Sequence, residues 1–276
     1  MPPPGAGTVT ALGLLLAVAS AVAINGGYAL QHTAASALPP LSLRRPLASL
    51  LALARERRWL TGFLAGIGGW VLYVVALRLA PLSLVQAAAA GGLGVLALGG
   101  GKLRGGERFG VGAALAGLVL LALSLSTHTP TSRGHTAAIA AWMLGSVVVA
   151  AVVLRALPRG AGFGTAAGVL YAAGDVGTKA AVAGGTRLWF VPALLACHGL
   201  AFVCLQLAFQ RGGRLATAGL AVLWTNALPI AAGTAVFAEA LPEGWRGALR
   251  VGAFALVVAG AAGLGSAREP AAAPAL

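Results

Sequence analysis

Apolar residues run along this chain in stretches of about twenty, separated by short turns that hold most of the arginines. Nine stretches are plain, at 8–30, 59–79, 82–101, 109–127, 136–157, 163–183, 188–210, 215–238 and 247–265. A helix rises about 1.5 Å per residue, so each can cross the roughly 30 Å hydrocarbon layer of a bilayer. A tenth segment, 37–54, reads ALPPLSLRRPLASLLALA. It is short and carries Arg44, Arg45 and Pro46, so a loop, an amphipathic surface helix and a degraded spanning helix all fit it. Pro39 and Pro40 suit a helix start. As a bare connection, about 28 residues would be long for so compact a chain.

Counting that segment, helix centres in the second half of the chain lie roughly 130 residues beyond their counterparts in the first. Val111-Gly112-Ala113 opens the fifth helix as Val251-Gly252-Ala253 opens the tenth. The expected fold is an all-α integral membrane protein with ten transmembrane helices, nine if 37–54 does not span, built as two inverted five-helix repeats. The first repeat covers 1–130 and the second 131–266, and the Ala- and Pro-rich tail at 267–276 is expected to be disordered.

Composition points the same way. Hydrophobic residues make up 59% of the chain and charged residues 9%, where a soluble domain carries about 25% charged residues. The net charge of +13 first suggests nucleic acid, but the basic residues punctuate apolar runs and form no polar face, so no nucleic-acid partner is expected. They follow the positive-inside pattern instead. Arg55, Arg57, Arg58, Lys102, Arg104, Arg108, Arg155, Arg159, Arg211, Arg214 and Arg268 fall on one side, which places the C-terminus in the cytoplasm of a multi-pass cell-membrane protein. No Lys or Arg precedes Arg44, so the first apolar run is read as a permanent helix and not a signal peptide. Cys197 and Cys204 lie in one apolar run, about two turns apart, and are read as buried small hydrophobes.

Catalytic and cofactor motifs are weak. Gly99-Gly100-Gly101-Lys102 ends like a phosphate loop, but Leu103 stands where Ser or Thr should hold Mg²⁺ and Leu96 where the first Gly should be. No Gly-x-Ser-x-Gly elbow occurs, and six acids leave little for paired-carboxylate catalysis. No enzyme, cofactor or resident metal is expected. Ionisable groups at membrane depth are more informative, because they are costly there and usually face a partner or a wet cavity. Asp175 and Lys179 are four apart in AAGDVGTKAAV, on one helical face. They read either as a substrate or proton site or as a pair that only fixes packing. Asn25, Tyr28, Gln31, His32, Gln86, His198, Gln206, Thr225 and Asn226 are polar residues within apolar runs, and Pro229 follows the last of them. Singly each suits interhelical hydrogen bonding, and together they could line a polar centre. Glu239 ends an apolar run and reads as a solvated end-of-helix acid.

Certain phrases carry a resemblance. Ala76-Leu77-Arg78-Leu79-Ala80-Pro81-Leu82-Ser83 turns from one helix into the next, and Phe237-Ala238-Glu239-Ala240-Leu241 precedes a Gly-rich last helix. Arg44-Arg45 stands in the second helix. On these and the two five-helix halves, nearly the whole chain resembles the drug/metabolite transporter superfamily, the EamA-like permeases. Gly13-Leu14-Leu15-Leu16-Ala17 through Gly27-Tyr28-Ala29-Leu30-Gln31, with Gly174-Asp175-Val176-Gly177-Thr178-Lys179-Ala180, is similar to segments of its NIPA-type magnesium transporter branch. The resemblance implies a lipid-embedded transporter moving a small molecule or ion by alternating access, with a midplane site and a homodimer left open. Asp175 and Lys179 would be its charged core, Asn25, His32, His198 and Asn226 its lining, and Asp175 or a histidine its proton carrier. Magnesium transport is one alternative, but Mg²⁺ prefers oxygen ligands and the chain has one mid-membrane acid, with Lys179 nearby. A non-transporting scaffold or accessory subunit is another.

Overall fold

A computed structural model describes residues 6–41, 44–89, 92–98, 105–124, 134–238 and 244–266. Glu239, Lys102 with its glycines, and the 267–276 tail lie outside them. The described residues form helices and no strand: α1 (Ala6–Ser36), α2 (Pro46–Arg55), α3 (Arg57–Leu79), α4 (Leu82–Ala89), α5 (Gly92–Leu98), α6 (Gly105–Ser124), α7 (Thr136–Ala156), α8 (Arg159–Ala181), α9 (Phe190–Phe209), α10 (Leu220–Phe237) and α11 (Trp245–Ser266). A 3₁₀ turn, Gly185–Trp189, leads into α9, and a π-helical turn, Leu215–Gly219, leads into α10.

Six segments are long and apolar enough to cross a bilayer by length and composition, namely Thr8–Ser36, Arg57–Leu79, Thr136–Ala156, Gly185–Phe209, Leu215–Phe237 and Trp245–Leu264. With so many spans and an all-helical build, the chain is a multi-pass membrane protein. α8 is long enough but not apolar enough, for a physical reason. Nearly all of it is buried by other helices, so it meets little lipid and can carry Gly, Thr and Asp175. α7 is the opposite, with Leu144, Val148 and Val152 at 69%, 63% and 56% exposure on its outer face.

Of the forms open to the segment 37–54, the structure describes a short helix, the ten-residue α2, opened by Pro46 at its first turn. Its reach is about 15 Å, half the hydrocarbon thickness. Leu47, Leu50 and Leu51 are exposed while Leu53 is buried on its inner face. Within the run expected at 82–101, the described residues are those of α4 and α5.

Helix pairing is governed by small residues, because lipid gives apolar helices no drive to associate and close backbone approach must supply the contact. α1 lies along α3 with Gly27 against Gly62, where a side chain on either would run into the other's carbonyl. α8 packs on α9, α7 and α10, and its Gly164 and Gly168 abut the backbones of Thr217 and Ala221. α6 packs on α11, with Gly117 against Ala253 and Gly260 against Ala114. The buried Arg250 of α11 ties this pair to α10, donating to Ser124 Oγ at 3.2 Å and to Thr234 Oγ1 at 2.9 Å.

Candidate functional site

A cavity of about 420 Å³ opens among α1, α3, α4, α8, α9 and α10, within the roughly 300–1,000 Å³ typical of small-molecule sites. From Ser20 to Gln31, α1 follows it over about 17 Å. Two polar layers bound it.

The first layer joins four helices at Asp175, which is buried on α8. Asp175 Oδ2 accepts from Gln86 Nε2 of α4 at 2.9 Å, and the same amide donates to the Tyr73 hydroxyl of α3 at 2.7 Å. Asp175 Oδ1 faces His198 Nε2 of α9 at 3.6 Å. The other ring nitrogen, Nδ1, lies 2.9 Å from the Leu194 carbonyl. A carbonyl only accepts, so Nδ1 carries hydrogen. In neutral imidazole Nε2 would then be a bare acceptor facing a carboxylate. The arrangement is favourable only with a proton between the two groups, as imidazolium and carboxylate or as imidazole and carboxylic acid. Gly174 makes the approach possible, because a methyl group there would fall inside the imidazole ring.

The second layer lies toward the arginine-rich ends of α1, α3 and α9. Gln206 Oε1 accepts from Trp59 Nε1 at 2.9 Å, and Gln206 Nε2 donates to Gln31 Oε1 at 2.8 Å. All three side chains are buried. Farther out, Gln210 takes the Leu41 N–H at 2.8 Å and donates to the Ala35 carbonyl at 3.1 Å, stitching the end of α1 to the end of α9.

Aromatic rings wall the space between. His198 meets Trp70 and Tyr171 edge-on, with centroids 5.9 and 5.7 Å away. Tyr28 lies 6.5 Å from Tyr171, and Phe63 lies 5.6 Å from Phe202. Asn25 and Asn226 are buried on this wall. Each ties its amide N–H back to its own helix, at the Ala21 carbonyl (2.8 Å) and the Val222 carbonyl (2.7 Å). The amide oxygens have no partner among the described residues.

Of the site residues expected from sequence, Asn25, Asp175, His198 and Asn226 stand together on the cavity wall. His32 and Lys179 do not. His32 packs on Phe209 and hydrogen bonds the Gly212 carbonyl at 3.2 Å, beyond the second layer. Lys179 lies one turn past Asp175 and donates to the carbonyls of Leu77 (2.8 Å) and Ala80 (3.0 Å), where α3 ends. Sequence reasoning missed Tyr73, Trp70, Tyr171, Phe63 and Phe202, since an aromatic residue in an apolar run looks like any lipid-facing one. Among the described residues, no three of His, Cys, Asp and Glu gather as a metal-binding group.

Part of the chain is similar to a magnesium transporter. Over 85 residues it is 40% identical to the probable magnesium transporter NIPA9 of Arabidopsis thaliana. The match takes in 31% of this chain and only 24% of that protein. No family model matches the chain, and no solved structure does.

Proposed function

We propose that the chain is a membrane transporter for a small solute, working by alternating access around this cavity. The observation that carries the reading is the contact of the buried Asp175 with the partly buried His198 on the cavity wall. A charge-bearing pair inside a membrane protein is costly and is usually kept for ions, protons or substrates. The pair carries one exchangeable proton, and a cationic solute reaching Asp175 releases it. The groups around Asp175 are His198 on α9, Gln86 on α4 and Tyr73 on α3, with Tyr171 and Lys179 one turn away on α8 itself.

We read the helix pairing as an inverted repeat in a register other than five plus five, an arrangement that suits the mechanism. α1 with α3 matches α8 with α9, α4 with α5 matches α10, and α6 matches its neighbour α11. α2 is too short to cross, so matched helices are separated by an odd number of crossings and run in opposite senses. α7 has no counterpart in this scheme. The positive-inside bias then sets the arginine-rich end and the C-terminus in the cytoplasm, making the Gln31–Gln206–Trp59 layer the inner gate.

The test is transport in proteoliposomes holding a pH-sensitive dye, challenged with cationic, anionic and neutral solutes. Solute-driven proton movement in the wild type and its loss in Asp175→Asn are expected. A well-folded protein that moves protons with no solute class would end the reading. The similarity to NIPA9 favours a second one, Mg²⁺ transport. Mg²⁺ keeps several waters and needs few protein oxygens, so Asp175, Asn25 and Asn226 could receive a hydrated ion. Mg²⁺ entry with no proton movement, reported by a Mg²⁺ dye in the same vesicles, would decide for it.

A further inference from the structure

The cavity wall is short of hydrogen. Asn25 and Asn226 spend their amide N–H groups on their own helices, which turns both buried oxygens to the wall with no partner. Pro229 brings no N–H to the Thr225 carbonyl one turn earlier, so α10 lacks one of its internal hydrogen bonds beside Asn226. Asp175 adds a carboxylate. Among the fully buried atoms of the described wall residues, Trp70 Nε1 is a donor without a partner. Buried acceptors without donors cost free energy that a donor-rich ligand recovers. The aromatic faces of Tyr28, Tyr171 and Trp70 favour positive charge as well.

A second observation concerns the way in. Ile67 of α3 and Leu195 of α9 line the cavity and are 48% and 55% exposed. Gly66 and Gly199 stand with them. A side chain started at Gly199 meets nothing within 4 Å, and at Gly66 the nearest atom is Gln31 Nε2 at 3.9 Å. The gap is framed by Phe63–Phe202 on one side and Trp70–His198 on the other. It falls near the middle of α3 (Arg57–Leu79) and of α9 (Phe190–Phe209). An opening at mid-height of two spanning helices faces acyl chains, not water.

We infer that the cavity takes an amphiphilic ammonium ion, its N–H groups on Asn25 Oδ1, Asn226 Oδ1 and Asp175, and that the ion enters from the hydrocarbon through the window between α3 and α9. This deepens the transporter reading and rests on it. Charge balances by exchange: the ammonium ion takes Asp175, and the proton of the Asp175–His198 pair leaves. Each ammonium ion bound therefore releases one proton.

The test is radiolabelled phenethylamine binding to the full chain in lipid nanodiscs, with empty nanodiscs subtracted. Saturable binding is expected. Neutral 2-phenylethanol and anionic phenylacetate should compete at least 30-fold less well, a comparison that needs no variant. Asp175→Asn should weaken binding more than tenfold, and Asn226→Leu roughly three- to tenfold. Gly199→Phe, which fills the window, should slow association more than tenfold while moving Kd less. Equal competition by 2-phenylethanol, wild-type affinity in Asp175→Asn, displacement by Mg²⁺ at lower concentration than by amine, or an unchanged association rate in Gly199→Phe would each overturn the inference. If anionic or neutral solutes drive Asp175-dependent proton flux and the amine does not bind, the transporter reading stands and this one falls. If the amine binds and no solute drives flux, the reverse holds.

Discussion

The two polar layers that bound the cavity are built from opposite chemistry. Around Asp175, the carboxylate faces the His198 imidazole at 3.6 Å, a contact between two ionisable groups. Around Gln206, every hydrogen bond joins neutral groups, Trp59 to Gln206 and Gln206 to Gln31, and pH leaves them alone. The first layer ties α8 to α9 and, through Gln86, to α4 and α3, while the second ties α9 to α3 and α1. A membrane interior strengthens each bond by excluding competing water. The difference is chemical: one layer joins ionisable groups on the cavity wall, and the other joins neutral amides and an indole at one end of it.

The sharpest way to break that comparison is Asp175→Asn. The amide keeps the shape and removes the exchangeable carboxyl proton. Solute-driven proton flux in proteoliposomes should fall by more than 100-fold, while thermal unfolding in detergent stays at or above wild type because a buried charge is gone. Next is Gly174→Ala, which drives the His198 ring off α8. Flux should drop about 30-fold with a flattened pH profile, and stability should fall by about 1–3 kcal/mol from overpacking. A wild-type pH profile in that variant would show that His198 does not share the proton.

Gln206→Leu probes the other layer. It orphans Trp59 Nε1 and Gln31 Oε1, two buried groups, at about 2–4 kcal/mol, read as a lower unfolding temperature. Flux should fall only about fivefold, with the proton-to-solute ratio and pH profile unchanged. A changed ratio would mean that the layers are not separate devices.

How much of this was legible beforehand differs by level. The apolar runs were plain, because hydrocarbon demands apolar side chains wherever a helix meets it. The rule weakens where helices meet only each other. α8 was found as a run, yet its burial among neighbours is a tertiary fact. The shortness of α2 left no clear mark in the hydropathy. At the site, Asp175 stood out because a charge in an apolar run is conspicuous. Its partner did not, because local spacing offered Lys179 four residues away, whereas the packing of α8 on α9 brings His198 from the next helix. Gly174, flanking Asp175 and small enough to let a neighbour come close, is the feature that admits the ring.

Lys179 supplies the smallest effect and the finest test of that difference. Its ammonium group lies on the carbonyls of Leu77 and Ala80, so it caps the end of α3 and anchors α8 there. Cations are favoured at a helix C-terminus, where unpaired carbonyls and the helix dipole both attract them. In this role Lys179→Met should cost about 1–2 kcal/mol of stability. Transport should stay within threefold of wild type, with the same pH profile. The local-pair reading makes the opposite demand. If Asp175 and Lys179 act as one unit, losing the ammonium leaves the carboxylate uncompensated, and Lys179→Met should lose flux as Asp175→Asn does. Measuring the two variants and their combination settles the matter. Additive effects assign Lys179 to the end of α3, whereas a double variant no worse than either alone would make the two residues a single charged core.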